Sequence, residues 1–250
     1  MLVALAAAGC GHTSNRRGEP QPPTTTSQTT TAAVTSTAAT QQTSVRAYFL
    51  RDGNVAPVRR SVPSDRPATW ALNALAAGPA AGEGELGNDY RGGVLLKRIE
   101  NGTATVEIVP NLSHAALAQV VYTLTQFPTV RRVRAPRSIG GPLTRASFED
   151  VAPAILVEAP LPGERVTSPL RVSGTANTFE ATFVLEIRNE SNQTLSRETV
   201  TATSGSGTRG TFDATISFNA HGPIVLVAYE PSAENGQPLH TVRIPLVAAG

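Results

Sequence analysis

The chain has 250 residues, of which 40% are hydrophobic and 16% charged, with a formal net charge of +2. That length suits one large domain or two ordinary ones. The near balance of charge argues against a nucleic-acid-binding protein, and the single cysteine, Cys10, excludes an internal disulfide.

Residues 1–10 are a short apolar run that ends in small residues and is closed by Cys10. The ending Ala7-Ala8-Gly9-Cys10 resembles the lipobox of a bacterial lipoprotein signal. The resemblance implies that the Cys10 thiol takes a diacylglycerol, that the preceding peptide is removed, and that the chain is held on the outer face of the cytoplasmic membrane. Small side chains let a membrane-embedded peptidase reach the backbone, and a thiol is the nucleophile that lipid transfer needs. Ala7 stands where Leu or Val is usual, and no Lys or Arg precedes the run, which we read as a start assigned too far downstream. The segment falls short of the about 20 apolar residues that cross a bilayer. With Cys10 unmodified, the expectation is a secreted protein.

Residues 11–44 are Thr, Ser, Gln, Pro and Ala with few large apolar side chains. Such a composition cannot offset the entropy of ordering, so a disordered tether is expected, spanning roughly 30–35 Å. Both a plain spacer and an O-glycosylated stalk fit it.

From residue 45 the pattern turns globular. Val45–Leu50 and Pro57–Val62 read as strands around an Asp52-Gly53-Asn54 turn. Asp65 offers an N-cap and Pro67 a first turn for a helix carrying Trp70, Leu72 and Leu75, stopped by Gly78-Pro79. Val94–Glu100 and the alternating Thr103–Val109 flank Asn101-Gly102, a strong hairpin signal. A second helix is expected from Ser113 to about Gln126, with Leu117, Val120, Val121 and Leu124 as its core stripe. Thr129–Arg134 reads as a closing strand, giving β-β-α-β-β-α-β over residues 45–150, an α+β layer with two helices on one sheet. Over 151–250 seven short runs separated by Gly, Pro, Asn and Ser turns indicate an all-β immunoglobulin-like sandwich. It has no cysteine pair and no tryptophan, so it is not of the antibody type.

Three stretches of the first region resemble the GerMN domain of a spore-germination and sporulation lipoprotein: Val45–Leu50, Ala71–Pro79, and Ala118–Thr125 with Val130–Val133. In the second region Ser168–Asn177, Arg209–Phe212 and Tyr229–Glu234 resemble the Gmad2 immunoglobulin-like domain found beside GerMN. GerMN domains are similar to ring-building motifs of envelope-spanning sporulation machinery. The resemblance therefore implies an assembly module with an envelope protein partner, and it brings no catalytic residues. The sporulation lipoprotein itself is similar to a pair of GerMN copies, whereas this chain has one copy plus Gmad2.

The side chains point the same way. His12, His114, His221 and His240 have no metal-ligand spacing, and no phosphate-binding glycine motif occurs. Ser113 beside His114 reads as a helix cap, not a nucleophile with its base. Glu83, Glu85 and Asp89 crowd a Gly-rich loop but lack the spacing of a Ca²⁺ loop. No cofactor, metal or small-molecule substrate is expected. Arg131, Arg132, Arg134 and Arg137 are the notable charge cluster, either a solvated strand face or a contact surface for acidic headgroups or an acidic partner. Arg132 and Arg134 should share one strand face, with Arg131 on the other beside Val133. The expected function is a non-enzymatic, membrane-anchored envelope lipoprotein that binds a protein partner. The competing expectation is a glycan-binding protein or enzyme accessory of the cell wall.

Overall fold

The computed structural model describes residues 41–109 and 111–249, and the single positions 9, 11 and 13. Cys10, and with it the expected signal and most of the expected tether, lies outside the described residues.

Strand β1 (Gln42–Arg51) pairs antiparallel with β2 (Asn54–Pro63) around Asp52 and Gly53, both at positive φ, the geometry of a two-residue hairpin turn. The strand starts earlier than the composition suggests: Gln42, Thr43 and Ser44, expected in the tether, pair with Pro63, Val62 and Ser61. Helix α1 (Pro67–Ala77) follows, with its N-cap at Arg66 and not at Asp65. Asp65 accepts a hydrogen bond from the Trp70 indole N–H instead, at 2.9 Å, so its carboxylate is engaged in the first turn without capping it. Strands β3 (Val94–Glu100) and β4 (Thr103–Ile108) form the hairpin at Asn101-Gly102, and β5 (Arg132–Arg134) adds in parallel to β4. Helix α2 (His114–Leu124) lies between, with Ser113 accepting the Ala116 N–H as its cap.

The strands of this α+β domain make two sheets, β1-β2 and β3-β4-β5, where a single sheet was expected. Side chains of α2 and its exit provide the physical reason. Gln126 accepts from the Arg46 N–H and donates to the Arg46 carbonyl, both at 2.6 Å. Thr123 accepts from the Tyr48 N–H, and Gln119 donates to the Tyr48 carbonyl. Leu50 exchanges two backbone bonds with Gly87. The free edge of β1 is thus satisfied residue by residue by groups other than a neighbouring strand. Gln119 is fully buried and also accepts from the N–H groups of Asp89 and Tyr90. Helix α2 is the central element, buried from Ala118 to Leu124.

The second domain is a sandwich. One sheet has the order β10-β9-β12-β13-β7 and the other β11-β8-β6, built from β6 (Ile155–Ala159), β7 (Arg165–Val166), β8 (Leu170–Ala176), β9 (Thr182–Asn189), β10 (Thr194–Thr201), β11 (Gly210–Ile216), β12 (Gly222–Pro231) and β13 (Pro238–Ala248). The seven expected strands are present, and the two-residue β7 is additional. Phe212 and Ile216 are buried on alternate positions of β11, as its pattern predicts. Gly174 has no room for a side chain, because a Cβ there would stand 2.0 Å from the Leu156 carbonyl oxygen. That contact lets β8 lie close against β6.

Candidate functional site

The two domains meet along a seam that starts in β6. Residues of a strand alternate between faces, and here each face serves a different core. Ile155 and Val157 belong to the sandwich core, whereas Leu156, 2% exposed, packs into the core of the α+β domain. Glu158 follows Leu156 on the same side. It accepts from the Tyr48 hydroxyl and pairs with the Arg145 guanidinium at 2.9 Å. Arg145 also donates to the Thr125 hydroxyl at 2.8 Å and to the Tyr48 hydroxyl at 3.2 Å, and it stacks over the Tyr122 ring at 4.8 Å. Arg46 adds a bond to the Glu158 carbonyl oxygen at 3.2 Å. Burial, and then the charge of Glu158, push the Tyr48 hydroxyl far above its usual range, so it stays a protonated donor.

A second cluster closes the seam. Glu149, in the 3-10 segment Arg145–Val151, takes two bonds from the Arg209 Nε at 2.9 and 3.1 Å and one from the Asn177 amide at 2.8 Å. Arg209 donates on to the Pro153 carbonyl at 2.8 Å. Burial works against the Glu149 charge, yet the bonds from Arg209 and Asn177 outweigh it and hold the carboxyl below its ordinary range. Arg59 and Glu164 form a third ion pair across the same junction. Beside the seam runs an open groove of about 950 Å³, walled by Val55, Pro57, Pro153, Pro162, Val242 and Pro245 among others. Its charged lining is largely self-paired, Arg51 with Glu85 and Arg209 with Glu149.

The arginines singled out by sequence lie elsewhere, on the outer face of β3-β4-β5 and at its margins. The inner face of that sheet carries Ala104, Val106 and Val133 into the core. On the outer face the register sets Glu100, Thr103 and Arg132 in one row and Arg98, Thr105 and Arg134 in the next. Leu95 stands opposite Glu107 in the third, with Lys97 in the bulge beside it. Arg137 comes within 3.9 Å of Glu107, and Lys97 within 3.0 Å. Arg132 and Arg134 share this face as expected. Arg131 does not share a strand face with Val133: it precedes β5, and its guanidinium packs on Gly102 at the hairpin turn while its N–H bonds the Gly102 carbonyl at 2.8 Å. Sequence proximity found four of these cations. Lys97 and Arg98 join them only through strand register, a non-local relation.

The other residues weighed for chemistry are dispersed. Glu83 holds Arg60 through both oxygens, Glu85 pairs with Arg51, and Asp89 accepts from the Ser113 hydroxyl, so the acidic loop makes no common site. Among the described residues no group of three His, Cys, Asp or Glu side chains is placed to hold a metal ion. Ser113 is committed to its cap and to Asp89, while His114 bonds Asp150 at 3.0 Å and lies on Phe148. Trp70 is half-buried against Val45, Val62 and Ala71, which gives no flat exposed platform for a sugar. Among the described residues no helix is long and apolar enough to cross a membrane.

Two family models match the chain. Residues 46–134 match Germane, described as sporulation and spore germination, and residues 154–237 match Gmad2, the immunoglobulin-like domain of bacterial spore germination. The matches meet the expected GerMN-type domain and its Gmad2 companion, and the segment between them, 135–153, carries Arg145 and Glu149 of the seam. No curated protein matches the chain.

Proposed function

We propose that this chain, which carries a Germane domain followed by a Gmad2 immunoglobulin-like domain and so belongs with the sporulation- and germination-related proteins, is a non-enzymatic interaction module held at the cell envelope by a lipid on Cys10. The observation that carries the reading is the seam. Arg145 and Glu149 of the α+β domain, with their partners, are consumed in docking the two domains through ion pairs and the shared strand β6. Domains fixed in this way present surfaces at constant relative positions, which suits assembly with an envelope protein. The arginines outside the docking, Arg132 and Arg134 on the outer sheet face with Arg131 and Arg137 at its margins, are a contact surface for an anionic counterpart, and the residues between Cys10 and β1 give it reach.

Fatty-acid labelling with membrane fractionation of the wild type and Cys10→Ala, together with cross-linking in cells, tests this. Label and membrane association should be present in the wild type and lost in Cys10→Ala, with an envelope protein recovered by cross-linking. A soluble, unlabelled wild type overturns the anchor, and an intact monomer without a cross-linked partner overturns the assembly role.

A further inference from the structure

The outer face of β3-β4-β5 and its turn end carry six cations, Lys97, Arg98, Arg131, Arg132, Arg134 and Arg137, against two carboxylates, Glu100 and Glu107. That surplus exceeds the formal charge of the whole chain, +2, so the remainder of the molecule is slightly acidic. Among the described residues no carboxylate pairs with Arg131, Arg132 or Arg134: Arg132 reaches only the Thr103 hydroxyl, at 2.9 Å, and Arg131 lies over Gly102. The same face also carries apolar side chains in solvent. Leu95 is 55% exposed and Val109 65%. Leu95 is opposite Glu107, and Val109 is two residues beyond it on the same side, so both lie at the end of the sheet away from the Asn101-Gly102 turn.

A solvated sheet face needs neither a one-sided excess of charge nor exposed apolar tips. Three arginines without a carboxylate partner among the described residues, Arg131, Arg132 and Arg134, with apolar residues along one margin match a lipid–water interface. There the cations meet headgroup phosphates while the apolar tips enter the acyl boundary. We propose that this face binds the anionic surface of a lipid bilayer, with Arg132 and Arg134 at its centre and Leu95 and Val109 as the shallow inserting edge. Arginine suits the task, since its planar fork bonds phosphate oxygens in pairs. Only an exported chain meets such a surface from outside the cell, so the assignment rests on the envelope reading above. Its measurement does not, because the lipid on Cys10 is left out of it.

The test uses the full chain carrying Cys10→Ser, which cannot be lipidated, and vesicles of phosphatidylcholine with or without phosphatidylglycerol. Co-sedimentation should occur with the anionic vesicles alone and should weaken steeply as salt is raised. Arg132→Gln with Arg134→Gln should lower the affinity about fivefold per arginine, and Leu95→Ser with Val109→Ser should lower it again at constant salt dependence. Circular dichroism of each variant should match the parent, since all four positions are exposed. Equal binding to neutral vesicles, or binding that the arginine pair does not change, overturns the proposal. So does absence of binding to anionic vesicles at low salt, which would leave the face to an acidic protein. Any of these results leaves the labelling of Cys10 untouched, so the two failures are distinguishable.

Discussion

Arginine is put to opposite uses at the seam and on the outer sheet face. Arg145 and Arg209 are half-buried, each meets a carboxylate within 3 Å, and each has further acceptors for its remaining N–H groups. Arg132 and Arg134 are exposed, and among the described residues neither meets a carboxylate. Where water is scarce an arginine must be neutralised and hydrogen-bonded to be tolerated, so it becomes part of the fold. Where water is plentiful it can stay unpaired, and its charge is then available to something outside the molecule. The same residue type therefore reports structure in one place and contact in the other.

The difference is broken most severely from the seam. Leu156→Ala removes the side chain that β6 lends to the neighbouring core and should destabilise the chain by about 3 kcal/mol, measured by urea denaturation. The two domains should then unfold in separate steps, read by probes in each. A smaller loss is expected from Arg145→Met. It strands Glu158, but the pair retains some solvent access, 23% and 16%. The loss should be about 2 kcal/mol, under the 3–5 typical of a fully buried pair. Adding Glu158→Gln should restore part of it, because the uncompensated charge is gone.

Acid should weaken the seam as well. The Glu149 carboxyl is held below its ordinary value of 4.5 in the folded state. Its stabilising effect is therefore complete above that value and is lost as the pH falls through the lower folded one. Stability measured between neutral pH and strong acid should fall less steeply in Glu149→Gln than in the wild type, and only in the range below 4.5. An equal slope would mean that Arg209 gains nothing from the charge on Glu149.

Much of the fold was legible because its signals are local. The alternation of Thr103–Val109 and Thr211–Phe218, and the Asn101-Gly102 turn, are properties of adjacent residues. The division of the first domain into two sheets was not, since it depends on Gln119, Thr123 and Gln126 reaching the edge of β1. Polar residues on a helix carry no sign of what they will bond. The seam was hidden for a related reason. A strand buried on both faces reads as one apolar run, so Ile155, Leu156 and Val157 do not reveal that they serve two cores. Of the outer face, the arginines close in sequence were visible, whereas Lys97, Arg98 and Leu95 came to it through the pairing of β3 with β4.

The smallest effect on stability should come from the outer face, and its smallness is informative. Arg132→Gln with Arg134→Gln removes two charges that no carboxylate among the described residues offsets, and one hydrogen bond, to Thr103, that is exposed to water. Surface changes of this kind stay within about 0.5 kcal/mol, which for a chain of this size moves the melting temperature by about 2 °C or less. Relief of repulsion among neighbouring cations would give the small shift an upward sign. A thermal melt of the double variant beside Arg145→Met therefore separates the two uses of arginine. If the double variant melts several degrees lower, those guanidinium groups are structural and the face is part of the fold. If it melts at or above the wild type, the chain keeps two arginines on one strand that do nothing for its stability, and their charge is directed outward.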